Sequence, residues 1–598
     1  MKRILCDVAT LVFLFFALAL LGATLYTNYL WGDVTVSQIF INLEEGLETL
    51  PPVIVMNYVF CILLALFATV VLAFVFSKNI GLFLTACGAL LFVLWRIDLF
   101  NYIINQRTYT DIYEKEYVYP LGLNYQFPAK KRNLILIYLE SVESGYAEAF
   151  GGKQNLIKNI SEHMKRELSF DGFYQIKNQG FTLAAMVESL CAVPYKSSHI
   201  KGYTGYQNFL SSLVCMPEIL KNNGYETYFM KGADINFART KLFLSSHGFS
   251  NIWGRDELKK SFAYPFDENE GSFNGYRDGA LYEMVKQKLE KIGAENEPFL
   301  FSMITLDTHR PNVFLDPSCK GSAGDRKDVM VCADNMLEDF LTWLKAQKFY
   351  ENTTVVVLGD HPAMKEEDLV DKKQPRQIVN FILNPSPIFK KQPHQAFTTI
   401  DVAPTVLNAI GVNFEDGAFG LGRSLFAKAP TLFERDGLSF ETELMKASKV
   451  YESFETIKTV NMPQYFAYPV LNTPISKGED LKCYASYSHS AFGVEFLDEV
   501  SFSLPADIDG DLVLEVFFRT LITRDLARDI EVLVNQKHLD TWTVTTKDKQ
   551  PVLKSVKIPA GLIENGKLLV KFENQDISAS SQLSGLGVVW VNLRLADK

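Results

Sequence analysis

Charge is nearly missing from the first hundred residues, which hold only ten of the chain's 128 Lys, Arg, Asp and Glu side chains. Cysteine is scarce, at 8 of 598 residues, which excludes a small disulfide-stapled scaffold. Glycine and proline number 36 and 23, too few for a collagen repeat or a low-complexity chain, and the 48% apolar content excludes disorder. A net charge of −10 leaves no basic footprint, so nucleic acid is not an expected partner. Neither G-x-x-x-x-G-K-[ST] nor G-x-G-x-x-G occurs, so no nucleotide cofactor is indicated. What remains is a long chain of mean hydropathy +0.04, enough for about three domains.

That average conceals three charge-free stretches: Val8 to Gly32, Thr49 to Ser77 and Asn79 to Trp95. A membrane span needs ~20 apolar residues, so residues 1–100 are expected to form a three-helix anchor. Lys2 and Arg3 precede the first stretch as in a signal peptide, but its length without a small-residue cleavage site fits an uncleaved anchor better. Lys2, Arg3 and Lys78 mark the cytoplasmic side, which places everything after Leu99 outside the cytoplasm. In the loop after the first span, Val36, Ile39, Phe40, Leu43, Leu47 and Leu50 recur at helical spacing. This predicts an amphipathic helix, either on the outer membrane surface or against the soluble part.

Five cysteines fall in the exported part. Cys191–Cys215 and Cys319–Cys332 would close short loops in an oxidising compartment and are expected as disulfides, leaving Cys483 odd.

After a linker over 101–130, residues 131–427 alternate near-continuous apolar runs with amphipathic segments such as 274–291 and 333–347. The runs cover 133–140, 226–232, 298–309, 353–361 and 377–383. This pattern predicts an α/β domain with a mostly parallel sheet and helices on both faces. Glu140, Lys231, Asp307 with His309, and Asp360 with His361 all sit where a strand gives out, which is where open α/β sheets bind ligands. Carboxylates with adjacent imidazoles there point to a divalent metal. The stretch Cys215-Met216-Pro217-Glu218-Ile219 echoes a C-x-P-x-R signature but has Ile219 in place of the arginine, and is set aside. A connector over 428–469 leads to residues 470–598, where the period changes to two. Six short runs there (512–518, 529–535, 541–546, 554–560, 567–573, 587–595) predict an antiparallel β-sandwich, either a packing module or a carbohydrate-binding one.

The motifs TDIYEKEYVYP (110–120), FPAKKRNLILIYLESVESGY (127–146), GFTLAAMVESLCAVP (180–194), YFMKGADINFARTKLFLSSHGF (228–249), ITLDTHRP (304–311), LGDHPAM (358–364) and TTIDVAPTVLNAIGV…GLGRSLF (398–426) occur in an order that resembles the bacterial membrane-anchored phosphoglycerol transferases. These are the periplasmic-glucan and lipoteichoic-acid-synthase branch of the alkaline phosphatase/sulfatase superfamily. The resemblance covers residues 1–427. It implies an inner-membrane enzyme whose catalytic domain and β-sandwich lie on the periplasmic side.

The resemblance makes Thr182 the nucleophile, a position that its place before LAAMVESL would otherwise assign to an ordinary helix cap. It implies one divalent ion held by Glu140, Thr182, Asp360 and His361, with Mn²⁺ as the family's usual metal and Mg²⁺ or Zn²⁺ as relatives. His309 matches a histidine that binds the phosphoryl group or protonates a leaving oxygen, and Lys231, Arg239 and Lys241 lie in the motif that holds phosphate oxygens. The sequence NFARTK lacks the tryptophan and arginine grip of the lipoteichoic-acid branch. Glu143 and Glu188 read as structural neighbours, and His394 as a candidate for a second metal. The implied reaction moves phosphoglycerol from phosphatidylglycerol to a hydroxyl of an exported glycan through a phospho-threonine. The phospholipid donor, the glycan acceptor and the membrane are thus its expected partners. A phosphoethanolamine transferase acting on a glycan or lipid A is the alternative within the class; a non-catalytic, membrane-tethered glycan-binding factor is the alternative outside it.

Overall fold

In the computed structural model, helices α1 (Lys2–Trp31), α2 (Pro52–Val75) and α3 (Asn79–Arg96) open the chain. The structure describes residues 2–32, 52–76, 79–120, 123–196, 213–266, 275–310, 313–322, 324–363 and 375–455, most strand residues between 481 and 595, and a few shorter pieces. The helix expected over 36–50 lies almost wholly outside the described residues.

All three helices are long and apolar enough to cross a membrane. Leu14, Ala17, Leu82 and Ala86 pack between them, while Phe16, Phe60, Phe67 and Phe74 point outward. Tyr58 meets Thr27 at 2.7 Å, and Asn57 donates to the Tyr26 hydroxyl at 2.8 Å, so polar pairs join α1 to α2. Asp98, in the left-handed region at φ 59°, turns the chain from α3 into α4 (Leu99–Arg107). The stretch expected as a linker therefore carries α4 and a short helix, Ile112–Glu116, whose Tyr113 is fully buried.

The α/β domain is built on strands β1 (Asn133–Leu139), β2 (Glu226–Lys231), β3 (Asn251–Trp253), β4 (Phe299–Ile304), β5 (Thr353–Gly359) and β6 (Asn380–Leu383), in the order β3-β2-β4-β1-β5-β6. β3, β2, β4, β1 and β5 run parallel, and β6 runs antiparallel to β5 at the edge. An apolar run does not encode direction. A parallel return would need a crossover, usually helical, and between β5 and β6 the described residues form no helix. Both faces are covered. Leu134, Leu136 and Tyr138 pack with α6 (Thr182–Cys191) and α9 (Val402–Ala409). Ile135, Ile137 and Leu139 pack with α5 (Lys158–Arg166), α7 (Asp278–Gly293) and α8 (Arg326–Lys345). Disulfides join Cys191 to Cys215 and Cys319 to Cys332.

Helices α10 (Leu432–Asp436), α11 (Leu438–Met445) and α12 (Lys449–Glu455) follow. The C-terminal region holds two five-stranded antiparallel sheets. The six strands expected by period two are present, joined by strands between 481 and 505. Leu512, Leu514 and Val516, like Ile530, Val532 and Val534, point inward at every second position.

Candidate active site

Five neighbouring segments deliver polar groups to one end of the sheet. Glu140 follows β1, Lys231 ends β2, His309 follows β4, and Asp360 and His361 follow β5. Thr182 is the first residue of α6, which is seated on the sheet by a 2.7 Å hydrogen bond between Ser189 and Tyr138. The N-cap is Phe181, so the Thr182 hydroxyl does not cap its own helix. It donates instead to Glu140 Oε2 at 3.1 Å.

The ligand loops are braced from several sides. Ser141, at φ 56°, donates its N–H to Asp360 Oδ1 at 2.8 Å and its hydroxyl to Glu140 Oε1 at 2.7 Å. A left-handed non-glycine residue costs about 1 kcal/mol or more, and here it lies between the two carboxylates. Gly359 is required sterically, because a Cβ there would lie 2.1 Å from the Val142 carbonyl oxygen. Arg376 donates to both carboxylate oxygens of the buried Glu143 and to the Ala363 carbonyl, joining the segment after Glu140 to the segment after His361.

Glu140, Asp360 and His361 present ligand atoms all within 4.8 Å of one another. His361 Nδ1 lies 2.9 Å from the Pro362 carbonyl, which assigns the proton to Nδ1 and directs the Nε2 lone pair toward the carboxylates. Nε2 is 3.3 Å from Asp360 Oδ2, a buried oxygen that accepts no hydrogen bond. Oxygen and imidazole donors converging on one point with an unsatisfied carboxylate oxygen fit a divalent cation.

The charges of these groups are closely linked. Burial opposes the Glu140 charge, but His309 and His361 hold its pKa down at about 2. Burial and then the Glu140 charge push Asp360 up to about 7. Burial lowers His361, but Asp360 and Glu140 outweigh it and raise the pKa. Burial lowers His309 despite Glu140, with His361 and Lys231 adding to the effect, so its imidazole is neutral near pH 7.

Other candidate residues take other places. Lys231 is buried, with Nζ 5.7 Å over the Phe237 ring. The Arg239 guanidinium lies 5.7 Å over the Phe209 ring, and Lys241 pairs with Glu257 at 2.7 Å on the surface. Asp307, grouped above with the metal ligands, instead accepts the Asp278 N–H at 3.1 Å, while Asp278 accepts the N–H groups of Leu306 and Asp307. Burial and the neighbouring Asp278 raise Asp307 well above the usual carboxylate range. Glu188 is fully buried against Thr399 and Gln175, and burial raises its pKa as well. His394 bonds Glu434 and the Ala427 carbonyl, both at 2.9 Å, and joins no metal-ligand cluster among the described residues. A second cluster of Cys215, Glu218 and His247 offers no thiolate, since Cys215 is in a disulfide. Sequence reasoning missed Ser141 and Arg376. Nothing local announces either, because one acts through an unusual φ and the other across 233 positions.

Residues 132–412 match the Sulfatase family. A phosphoglycerol transferase I from Salmonella choleraesuis is 32% identical over 316 residues, covering 50% of this chain and 40% of the relative. One from Escherichia fergusonii is 31% identical over 319 residues, covering 51% and 41%. The chain thus spans about two fifths of the length of these curated relatives. A lipoteichoic acid synthase structure from Listeria monocytogenes aligns with TM-score 0.39 at 21% identity, covering 51% of this chain and 78% of that one.

Proposed function

Taking a sulfatase-family domain joined to three membrane-spanning helices as the premise, we propose that the chain is a metal-dependent phosphotransferase. It moves phosphoglycerol from phosphatidylglycerol to a hydroxyl of an exported glycan, and its α/β and β-sandwich domains lie on the periplasmic side of the inner membrane. The observation that carries this reading is the Thr182 hydroxyl, bonded to Glu140 at the start of α6 beside Asp360 and His361. The names of the curated relatives support the head group.

Glu140, Asp360, His361 and Thr182 Oγ would hold a divalent ion, Mn²⁺ or a relative such as Mg²⁺ or Zn²⁺, which when bound would lower the hydroxyl pKa and neutralise phosphoryl charge. Thr182 Oγ attacks the head-group phosphorus, the bond to the diacylglycerol oxygen breaks, and the threonine proton ends on diacylglycerol. A glycan hydroxyl then attacks the same phosphorus, the P–Oγ bond breaks, and a proton returns to Thr182. The free N–H groups at the start of α6 favour the phosphate oxygens. Neutral His309 donates one N–H to a phosphoryl oxygen, and Lys231 supplies a buried cation. The β-sandwich places the glycan. Loss of residues 470–598 therefore lowers the rate on glycan and leaves diacylglycerol release in place.

The test is to incubate the full chain with vesicles of phosphatidylglycerol, without acceptor, and weigh the peptide containing Thr182. A phosphoglycerol adduct, absent in Thr182→Ala, is expected. An adduct carrying phosphoethanolamine, formed only from phosphatidylethanolamine vesicles, would reassign the head group. Diacylglycerol release that survives in Thr182→Ala would overturn the covalent route.

A further inference from the structure

Helix α4 is amphipathic in the wrong sense for a soluble protein. Phe100, Ile103, Ile104 and Arg107 follow the i, i+3, i+4, i+7 spacing of one helical face, and all four are exposed. Phe100 and Ile104 are 50% and 58% exposed, while Tyr102, on the other side, is buried. The inner side is fastened to the rest of the protein. The Ala447 N–H donates to the carbonyls of Asn105 and Thr108, both at 3.0 Å, and Thr110 N–H donates back to Ala447 at 2.9 Å. Ala447 follows α11, and α11 is held in turn by the Tyr113 hydroxyl on the Leu444 carbonyl at 3.2 Å.

The level at which this face lies is set by what precedes it. The third apolar helix ends in Phe92, Trp95 and Arg96, with Trp95 67% exposed, the kind of aromatic and basic residues that mark the boundary between acyl chains and head groups. Only Ile97 and the turn at Asp98 separate Arg96 from α4. A nine-residue helix starting there cannot leave the interfacial layer before its own first turn is complete.

We propose that α4 lies flat in the outer interface of the bilayer, with Phe100, Ile103 and Ile104 inserted among the acyl chains and Arg107 reaching the lipid phosphates. Its opposite face, through Ala447, fixes the height of the α/β domain above the membrane. Continuity with α3 commits the face to lipid, because a protein partner would have to displace the bilayer that α3 already crosses. Arginine at the end of such a face reaches outward to phosphate while its stem stays apolar. This inference rests on the reading of α1 to α3 as membrane-spanning and gives the phosphotransferase a fixed distance to its lipid.

The test uses the full chain in nanodiscs of phosphatidylcholine and phosphatidylglycerol. Benzoylphenylalanine replaces Ile104 in one variant and the exposed Glu415 in a control. On illumination, position 104 is expected to crosslink to phospholipid and position 415 not to. A crosslink from 104 to a second copy of the chain, or none to lipid, overturns the proposal. In a second arm, Ile103→Asp with Ile104→Asp is expected to slow turnover of bilayer phosphatidylglycerol about tenfold or more, and turnover of detergent-dispersed lipid less than about twofold. Equal rates of variant and parent in the bilayer, or equal slowing in both lipids, overturn it too. The crosslink needs no turnover. Lipid labelling at 104 by a chain that transfers nothing would therefore sink the proposed activity and leave the seating intact.

Discussion

Two segments of the chain read almost alike as sequence and are used in opposite ways. Val53 to Val75 and Asn133 to Leu139 are both near-continuous apolar runs. In α2 most large side chains point outward, with Phe67 68% and Phe74 87% exposed, and the polar Thr69 is inside. In β1 every residue is buried, and the charge that follows, Glu140, is buried too. Length separates the two uses. Twenty-four residues of helix match a bilayer, whereas seven residues of strand match a covered sheet. The anchor therefore takes its stability from a surrounding solvent, while the α/β domain encloses polar groups that only precise partners make tolerable.

If that contrast holds, the α/β domain should be sensitive to single polar changes. The largest effect is expected from Glu140→Gln, which removes a proposed cation ligand and the acceptor of the Thr182 hydroxyl together. Diacylglycerol release should fall about a thousandfold or more. Chelation should do the same reversibly, with circular dichroism unchanged in both cases.

Next comes Arg376→Met, which leaves the Glu143 carboxylate buried without its bidentate partner. A loss of about 3–5 kcal/mol in unfolding free energy is expected, read as a lower denaturant midpoint. Adding Glu143→Gln should recover part of it. If the single variant unfolds like the parent, buried charge is cheaper here than the contrast requires.

A smaller effect is expected from pH. Burial raises Asp334 to about 6, although the N–H groups of Asn159 and Ile160 favour its charge. Its folded pKa is above the unfolded one, so the folded state binds more protons between them. The stability it contributes is complete below about pH 4 and lost as pH rises through 6, roughly 3 kcal/mol at most. Thermal melts from pH 4 to 7 should show this slope in the parent and a flatter one in Asp334→Asn. Smallest of all is Lys241→Gln. The Lys241–Glu257 pair is largely exposed, so stability should change by about 0–1 kcal/mol and lipid turnover by less than about threefold. A larger loss of turnover would return Lys241 to the phosphate-holding group.

Much of the arrangement was legible beforehand where a residue's role follows from its own segment. The apolar runs located β1, β2, β4, β5 and β6, and at the ends of four of them stand Glu140, Lys231, His309, and Asp360 with His361. What escaped was relational. The direction of β6 depends on how the chain returns, not on its side chains. Asp307 sits beside His309 in sequence, but its carboxylate is engaged by Asp278. Arg376 carries no motif and matters only because Glu143 and Ala363 are brought to it.

The strand order also has a consequence in time. β1 is flanked by β4 and β5, so Leu134 pairs with Leu300 and Thr354, both of which follow it far along the chain. As the polypeptide emerges from its N-terminus, an apolar strand with two open edges waits through synthesis of most of the domain before either neighbour exists. Such a nascent edge is prone to pair with the wrong chain. Folding of this domain should therefore depend on holdase chaperones between the emergence of β1 and that of β5.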